Sequence, residues 1–356
     1  MRNTDMRMPD RILIIRFSSV GDIVLSSLLV RVLRRRFPDS QIDYVVKTEF
    51  SDLLRYNPHL TQVIPFEKEE SLAELAEFRR RIRAIKYDLM IDIHESLRSR
   101  YLCAGARQVV RVDKRKFPRF VLVKSKMNLY KWFNGAPNVA LRYLETVSQF
   151  GVTDDGDGLE VFIPPSAGEK AHLIAHEFGL DDSSSPVGIC PSAKHNNKMW
   201  PAERFAAAAA TLSEETKSNV ILFGWSNDEK ERCDSIERQI KELNPHAVVA
   251  NVAGKLSLIE TASLMDRCSL IVSNDSGLMH IAAARRRKLV AIFGPTVREF
   301  GFFPFRTPHV VVENDSLSCR PCTHIGLPEC PKRHFRCMND IPVLRIVEEA
   351  RKLLHQ

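Results

Sequence analysis

The sequence predicts an α/β fold made of two doubly wound domains, and three observations predict it. Short apolar, β-branched runs alternate with longer stretches of helical periodicity along nearly the whole chain, the order that builds parallel sheets covered by helices on both faces. A chain of 356 residues with 44% hydrophobic content is long enough for two cores. A polar, turn-forming run, Asp181-Asp182-Ser183-Ser184-Ser185-Pro186, parts the alternation into halves. An N-terminal domain over residues 1–185 and a C-terminal domain over 186–356 are therefore expected.

In the first domain, strands are expected at 11–17, 41–46, 62–65, 87–93 and 109–112. After the first of them Leu25, Leu28, Leu29, Val32 and Leu33 recur at helical spacing, which predicts a helix over about 23–36. Ser18-Ser19-Val20-Gly21-Asp22 fills the turn between the two. Ligands of open α/β sheets collect at the carboxyl ends of the strands, so Asp22 is presented at the mouth of this domain. The alternative is a first-turn carboxylate that only steadies the helix, worth about 0.3–1 kcal/mol.

In the second domain, strands are expected at 186–190, 219–223, 247–251, 268–273 and 289–293, with a last helix over 343–354. The fourth strand runs into Ser273-Asn274-Asp275-Ser276-Gly277-Leu278-Met279-His280 and a helix over 278–284. Asp275, Ser276 and Gly277 thereby fall where helix N–H groups point outward, a place for an anion such as a nucleotide phosphate. His280 lies one helical turn beyond Ser276 and can face the same ligand. A plain helix cap is the other reading of Asp275. The strand 186–190 leads to Ser192-Ala193-Lys194-His195-Asn196-Asn197-Lys198-Met199-Trp200-Pro201, and Pro201 suits the first position of the next helix. Lys198 is thus held at a strand–helix junction beside a rigid Trp-Pro pair, where an ordinary surface lysine would simply be solvated.

Taken in order, these segments closely resemble the bacterial heptosyltransferases of glycosyltransferase family 9, over about residues 11–354. The marks are Ser-Ser-Val-Gly-Asp near the N-terminus, Lys-Met-Trp-Pro, Asn-Asp-Ser-Gly-Leu-Met-His, and Phe293-Gly294-Pro295-Thr296 at the end of the next strand. The resemblance implies a GT-B architecture: two Rossmann-like domains facing each other across a cleft, with ADP-heptose in the C-terminal half and the lipopolysaccharide inner core in the N-terminal half. It implies an inverting transfer in which Asp22 matches the catalytic aspartate and Lys198 the phosphate-binding lysine. Ser276, Gly277 and His280 match the phosphate-contacting turn, Asp275 the acid that meets the heptose hydroxyls, and Asp228 the ribose-binding acid. Where relatives often carry paired hydroxyls before the lysine, this chain has Ala193-Lys194, which leaves Ser192 as the nearest hydroxyl. His94 stands where a glutamine often sits. The last helix is expected to pack back on the first domain. Lys198 and a helix N-terminus can together neutralise the leaving phosphate, so no divalent metal or other cofactor is required for catalysis.

The charge pattern adds a partner. A net charge of +8 is clustered in Arg34-Arg35-Arg36, Arg79-Arg80-Arg81 with Arg83, Arg285-Arg286-Arg287-Lys288 and the run from Arg111 to Lys131; such patches seek anionic partners. In that run, basic residues are interleaved with Phe117, Phe120, Leu122, Leu129, Tyr130 and Trp132. This composition suits a solvated loop or a segment lying on an anionic membrane, and a lipid-linked acceptor would favour the second. No stretch approaches the apolar length of a membrane span, and residues 1–11 lack the apolar core of a signal peptide. A cytoplasmic protein, peripheral at the inner face of the inner membrane, is expected.

Four of the eight cysteines form Cys319-x2-Cys322-x7-Cys330-x6-Cys337, and Cys103, Cys190, Cys233 and Cys268 are scattered. In a reducing compartment the cluster suits a closed, structural tetrahedral zinc site or a set of unligated or redox-active thiols. Neither Gly-x-Gly-x-x-Gly after the first strand nor a P-loop is present, which argues against dinucleotide oxidoreductases and P-loop NTPases. Two rivals remain. A different GT-B nucleotide-sugar transferase or an epimerase would share the architecture and prefer another donor. A basic RNA- or membrane-binding module would use the patches alone, but Asp22 and Asp275 would repel a phosphate backbone, so no nucleic acid is expected.

Overall fold

The computed structural model describes residues 8–67, 71–132, 137–180 and 185–356; residues 181–184 of the expected join lie outside the described residues. Contacts divide the chain into two compact units, Met1–Lys114 with Val139–Asp157, and Arg115–Asn138 with Gly158–Gln356. The first holds β1 (Arg11–Ile15), β2 (Gln41–Lys47), β3 (Gln62–Phe66), β4 (Leu89–Asp92) and β5 (Val109–Arg111), all parallel in the order β3-β2-β1-β4-β5. The second holds β6 (Val187–Cys190), β7 (Val220–Leu222), β8 (Val249–Asn251), β9 (Leu270–Asn274), β10 (Leu289–Phe293) and β11 (His309–Glu313), parallel in the order β11-β10-β9-β6-β7-β8. The helices, in chain order, are α1 (Val20–Leu25), α2 (Ser27–Arg36), α3 (Asp52–Arg55), α4 (Leu72–Ala84), α5 (Leu97–Cys103), α6 (Lys116–Ser125), α7 (Val139–Glu145), α8 (Pro165–Glu177), α9 (Ala202–Thr216), α10 (Asn227–Leu243), α11 (Leu258–Met265), α12 (Gly277–Ala284), α13 (Arg336–Asn339) and α14 (Val343–Leu354).

Strands buried on both faces explain the continuous apolar runs. Ile12 to Ile15 and all of β9 and β10 are buried. In the first unit Leu13, Ile15 and Met90 face a core closed by Leu75, Phe78 and Ile82 of α4 and Leu102 of α5. In the second, one core joins β6, β7, β9 and β10 to α9, α10 and α14. The stripe Ile346, Val347, Ala350 and Leu353 of the last helix is buried in the second unit's own core, where α9 and the sheet offer it a complementary apolar face.

The strands fall into two sheets on either side of residue 185, while the helical segments between them do not follow that cut. Residues 158–180 group with the second unit, in which α8 packs on α11. The single helix expected over 23–36 is two. Ser26 closes α1 and opens α2, and its hydroxyl donates to the Ile23 carbonyl at 2.7 Å while pairing with the Tyr44 hydroxyl at 2.8 Å. A side chain that competes for a helix carbonyl is a recognised cause of such a bend.

Strand numbering runs outward in both directions from one neighbouring pair in each sheet, β1 with β4 in the first and β6 with β9 in the second. Loops leaving such a pair diverge to opposite faces, and the opening between them is where ligands of doubly wound sheets bind.

Candidate active site

At the first switch point the ends of β1 and β4 are tied together by one arginine. Arg16 follows the apolar run of β1, and its guanidinium donates to the Ile93 carbonyl at 2.7 Å and pairs with Asp22 at 2.5 Å. Asp22 sits in the first turn of α1. Its Oδ2 also accepts from the Ser19 hydroxyl at 3.0 Å and the Ser19 N–H at 3.3 Å, and its Oδ1 accepts from the Tyr143 hydroxyl at 3.1 Å. With a side-chain exposure of 14%, burial pulls the Asp22 carboxyl upward, but the Arg16 charge and the Ser19 donors outweigh it and hold the group below the usual carboxylate range. Asp22 is therefore an anion at neutral pH. Burial pushes the Tyr143 hydroxyl well above its ordinary value, so it stays a proton donor.

His94 follows β4 on the other side of this opening, its ring centroid 4.7 Å from that of Phe17. Burial, then the charges of Arg16 and Lys114, push its imidazole down to about 3, so it is neutral at physiological pH. Its buried Nδ1 makes no hydrogen bond among the described residues.

At the second switch point an asparagine does what Arg16 does at the first. Asn274, the last residue of β9, donates to the Pro191 carbonyl beyond β6 at 2.7 Å and accepts from the Trp200 N–H at 3.0 Å. Trp200 is fully buried, edge-on to Phe205, and its indole N–H donates to the Ile341 carbonyl at 3.2 Å. This anchorage fixes the turn Asn196–Lys198 just before it. Lys198 Nζ lies 2.7 Å from Asp275 Oδ2, with side-chain exposures of 13% and 6%. Thr296, after β10, donates to the same oxygen at 2.8 Å.

Thr296 is itself positioned by Arg320, a buried residue whose guanidinium donates to the carbonyls of Gly294 and Thr296 at 2.5 and 2.9 Å and pairs with Glu313. A Cβ at Gly294 would stand 2.8 Å from the Met338 methyl group, so a side chain there would have to displace Met338.

Ser276 caps α12, Gly277 is its first residue, and His280 is buried one turn along. The hydroxyls of Ser276 and Ser192 are buried without a hydrogen-bond partner among the described residues. An ammonium group, the N–H groups of a helix start and two unsatisfied hydroxyls make a site for a polyanion. Asp275 in the same place repels phosphate and suits neutral hydroxyls. Of the sequence-based candidates, Lys198, Asp275, Ser276, Gly277, His280 and Ser192 thus gather at one switch point and Asp22 lies at the other. Asp228 is exposed in the first turn of α10, and Arg232, one turn on, donates to the Pro191 carbonyl at 3.0 Å.

Sequence reasoning gave no role to Arg16, Tyr143, Asn274, Thr296 or Arg320. An arginine ending an apolar strand was a usable signal for the first. Nothing local marks Tyr143, which is 121 residues from Asp22.

The cysteine-rich segment braces the Lys198 turn: the Leu327 N–H donates to Asn197 Oδ1 at 2.8 Å, and the Cys322 N–H to the Pro295 carbonyl at 3.3 Å. Cys319, Cys322 and Cys330 are half-buried and Cys337 is buried, all as free thiols. Burial first, then the neighbouring thiols, pushes Cys337 up to about 12. Among the described residues no group of three or more His, Cys, Asp or Glu stands close enough to hold a metal ion.

Comparison with known proteins agrees with the two-domain parallel α/β fold. The profile of glycosyltransferase family 9 (heptosyltransferase) matches residues 75–332. Lipopolysaccharide heptosyltransferase 2 of Salmonella typhimurium (strain LT2) is 31% identical over 97% of this chain and 99% of its own. Among solved structures, a family 9 glycosyl transferase from Veillonella parvula DSM 2008 superposes with a TM-score of 0.77 at 23% identity, covering 97% of each chain. ADP-heptose lps heptosyltransferase II of E. coli does so with 0.72 at 24% identity, covering 97% of this chain and 99% of that one. The chain belongs to glycosyltransferase family 9, the heptosyltransferases.

Proposed function

We propose that this protein transfers heptose from ADP-heptose to the lipopolysaccharide inner core with inversion at the anomeric carbon. The observation that carries the reading is the Lys198–Asp275 pair at the start of α12, beside two buried hydroxyls lacking partners. Phosphate oxygens would take Lys198, the first N–H groups of α12, Ser192 and Ser276; heptose hydroxyls would take Asp275; and Asp228 would meet the ribose. The acceptor oxygen attacks the anomeric carbon, the bond to the β-phosphate breaks, and its electron pair leaves with ADP. The proton lost by the acceptor passes to Asp22, which its low pKa keeps unprotonated and available. The negative charge growing on ADP is met by Lys198 and the helix N-terminus, so the protein itself supplies the stabilisation of the leaving group.

Purified protein should convert ADP-heptose and a heptose-deficient inner-core acceptor to ADP and a heptosylated product of inverted configuration. Acceptors carrying no heptose and one heptose, offered side by side, identify the position filled. Activity should persist in EDTA; an absolute requirement for added magnesium would overturn the charge-stabilising role of Lys198. Stabilisation by UDP-sugars and not by ADP-heptose, read as a thermal shift, would point to the other GT-B donors. Four neighbouring thiols are also the donor set of a structural zinc, and elemental analysis of purified protein decides its presence. No helix among the described residues is long and apolar enough to cross a membrane. In this reading the enzyme works in the cytoplasm and meets its lipid-linked acceptor as a peripheral protein.

A further inference from the structure

Exposed helix faces are ordinarily polar, and α6 reverses the rule. At about 100° per residue, Lys116, Phe117, Phe120 and Lys124 share one side of this helix and are exposed, while Pro118 and Leu122 on the opposite side are buried. Phe117 is 70% exposed and Phe120 60%; beyond the helix Met127 is 57% and Trp132 78% exposed. These side chains are not ends of a loose loop. Leu122 and Tyr130 pack with Phe300, Asn128 donates to Glu299 at 2.7 Å, and Lys126 donates to the Pro321 carbonyl at 2.6 Å. The framework holds four large apolar groups out to solvent together with exposed Lys116, Lys124 and Lys131. No acidic residue occurs between Asp113 and Glu145.

We propose that this face, Phe117, Phe120, Met127 and Trp132 rimmed by Lys116, Lys124 and Lys131, docks on an anionic phospholipid bilayer. Charge complementarity selects the occupant. A rim of lysines on a stretch of chain that carries no acid fits a negative surface, and long lysine side chains can keep their charge among headgroups while their stems lie along acyl chains. The exposed Phe and Trp side chains gain by entering the headgroup boundary, where aromatic residues are enriched. A phosphate backbone would satisfy the lysines and leave Met127 and much of both phenylalanines in water. The surface stands on exposure and charge, independently of the heptosyl transfer reading, and gives that reading a route to a lipid acceptor.

The test is co-sedimentation of the full chain with vesicles of phosphatidylethanolamine and phosphatidylglycerol, against phosphatidylcholine alone, at low and high salt. Binding to the anionic vesicles only, weakened by salt, is expected. The triple variant Phe117→Ser, Phe120→Ser, Trp132→Ser should bind at least about tenfold more weakly at both salts. Lys116→Glu, Lys124→Glu, Lys131→Glu should lose roughly fivefold per residue, mainly at low salt, the fold-change of about 1 kcal/mol. In a Trp225→Phe background the emission of Trp132 should shift to the blue on adding anionic vesicles, since Trp200 is already fully buried. ADP affinity, unchanged in every variant, shows that the fold is intact.

Variants that sediment as the parent does would overturn the proposal. So would a parent that is dimeric and becomes monomeric in the serine variant, or one that binds an RNA oligonucleotide in preference to vesicles. Vesicle binding without heptose transfer to any acceptor would sink the enzyme reading and leave this surface standing; transfer to lipid-embedded acceptor without vesicle binding would do the reverse.

Discussion

The two switch points of this chain are built alike and tuned apart. Each ties the ends of its two central strands with one side chain, Arg16 to Ile93 in the first unit and Asn274 to Pro191 in the second. Each presents a mostly buried acid beside a cation, Asp22 with Arg16 and Asp275 with Lys198. The difference lies in which groups still need a partner. Around Asp22 the carboxylate is saturated by Arg16, two donors of Ser19 and Tyr143. Around Asp275 two hydroxyls, of Ser192 and Ser276, lack partners, and a helix begins. An acid–cation pair therefore does not define a role. A saturated acid is a held base, whereas a lysine amid donors without acceptors is half of an anion site.

The largest effect that tests this contrast is on turnover. Asp22→Asn should lower turnover by about 10²- to 10⁴-fold, the usual share of a general base, with ADP affinity unchanged. Because Arg16 is buried and would lose its counter-charge, the variant should also melt earlier; removing one partner of such a pair costs up to about 3–5 kcal/mol. Rates are therefore to be measured well below its melting temperature, and near-normal turnover there would remove Asp22 from the chemistry. Lys198→Ala comes next. Loss of a charge-assisted contact of about 1.5–3 kcal/mol should weaken ADP roughly ten- to hundredfold, and calorimetry reads it directly. If ADP affinity holds, the pair is structural and the two switch points differ less than their surroundings imply.

What could be read from the sequence follows from the same distinction. β10 was legible to the residue, because a strand buried on both faces announces itself by composition. β11 was not: it is a half-exposed edge strand that pairs, among the described residues, with β10 alone. The break at Ser26 escaped a periodicity argument because the apolar stripe runs straight through it; the Ser26 hydroxyl takes the Ile23 carbonyl and also pairs with the distant Tyr44 hydroxyl. Charge clusters were read as anion-seeking, yet Arg34 is spent on the carbonyls of His59, Pro38 and Ser40, and Arg285 on Asp266 and the Val161 carbonyl. A composition rule sees charge but not the carbonyls that fold around it. The motifs placed Asp22, Lys198 and Asp275 at strand ends and included Thr296 without a role, while Tyr143 and Arg320, from distant chain, left no local mark.

A smaller effect sharpens the reading of Asp22 as a held base. Tyr143→Phe removes the donor to Oδ1 and leaves Arg16 and Ser19 in place. With one fewer hydrogen bond to its charged form, the Asp22 carboxyl must titrate higher. The acid limb of the kcat profile should move to higher pH, with only a few-fold loss at the plateau. A uniform loss at every pH, with the limb unmoved, would make Tyr143 a packing residue.

The smallest effect concerns His94, and its sign can be worked out in advance. Burial and its cationic neighbours push the imidazole down to about 3 in the folded protein, whereas in the unfolded chain it takes a proton near its ordinary value of about 6.5. Between those two values the unfolded state binds a proton that the folded state refuses, so stability is complete above about pH 6.5 and drains away as pH falls toward 3. Carboxylates, Asp22 among them, lose stability at the acid end of the same window, so the parent alone cannot isolate the histidine. His94→Gln can, because glutamine keeps polar atoms at that position and does not titrate. Denaturant midpoints of parent and variant should differ by a constant amount above pH 7 and converge in the parent's disfavour from pH 6.5 down to about 4. Parallel curves would mean that His94 is protonated in the folded state as readily as in the unfolded one. The imidazole would then join Arg16 and Lys114 as a third cation once the pH falls below about 6.5, and in acid the first switch point would attract anions as the second does.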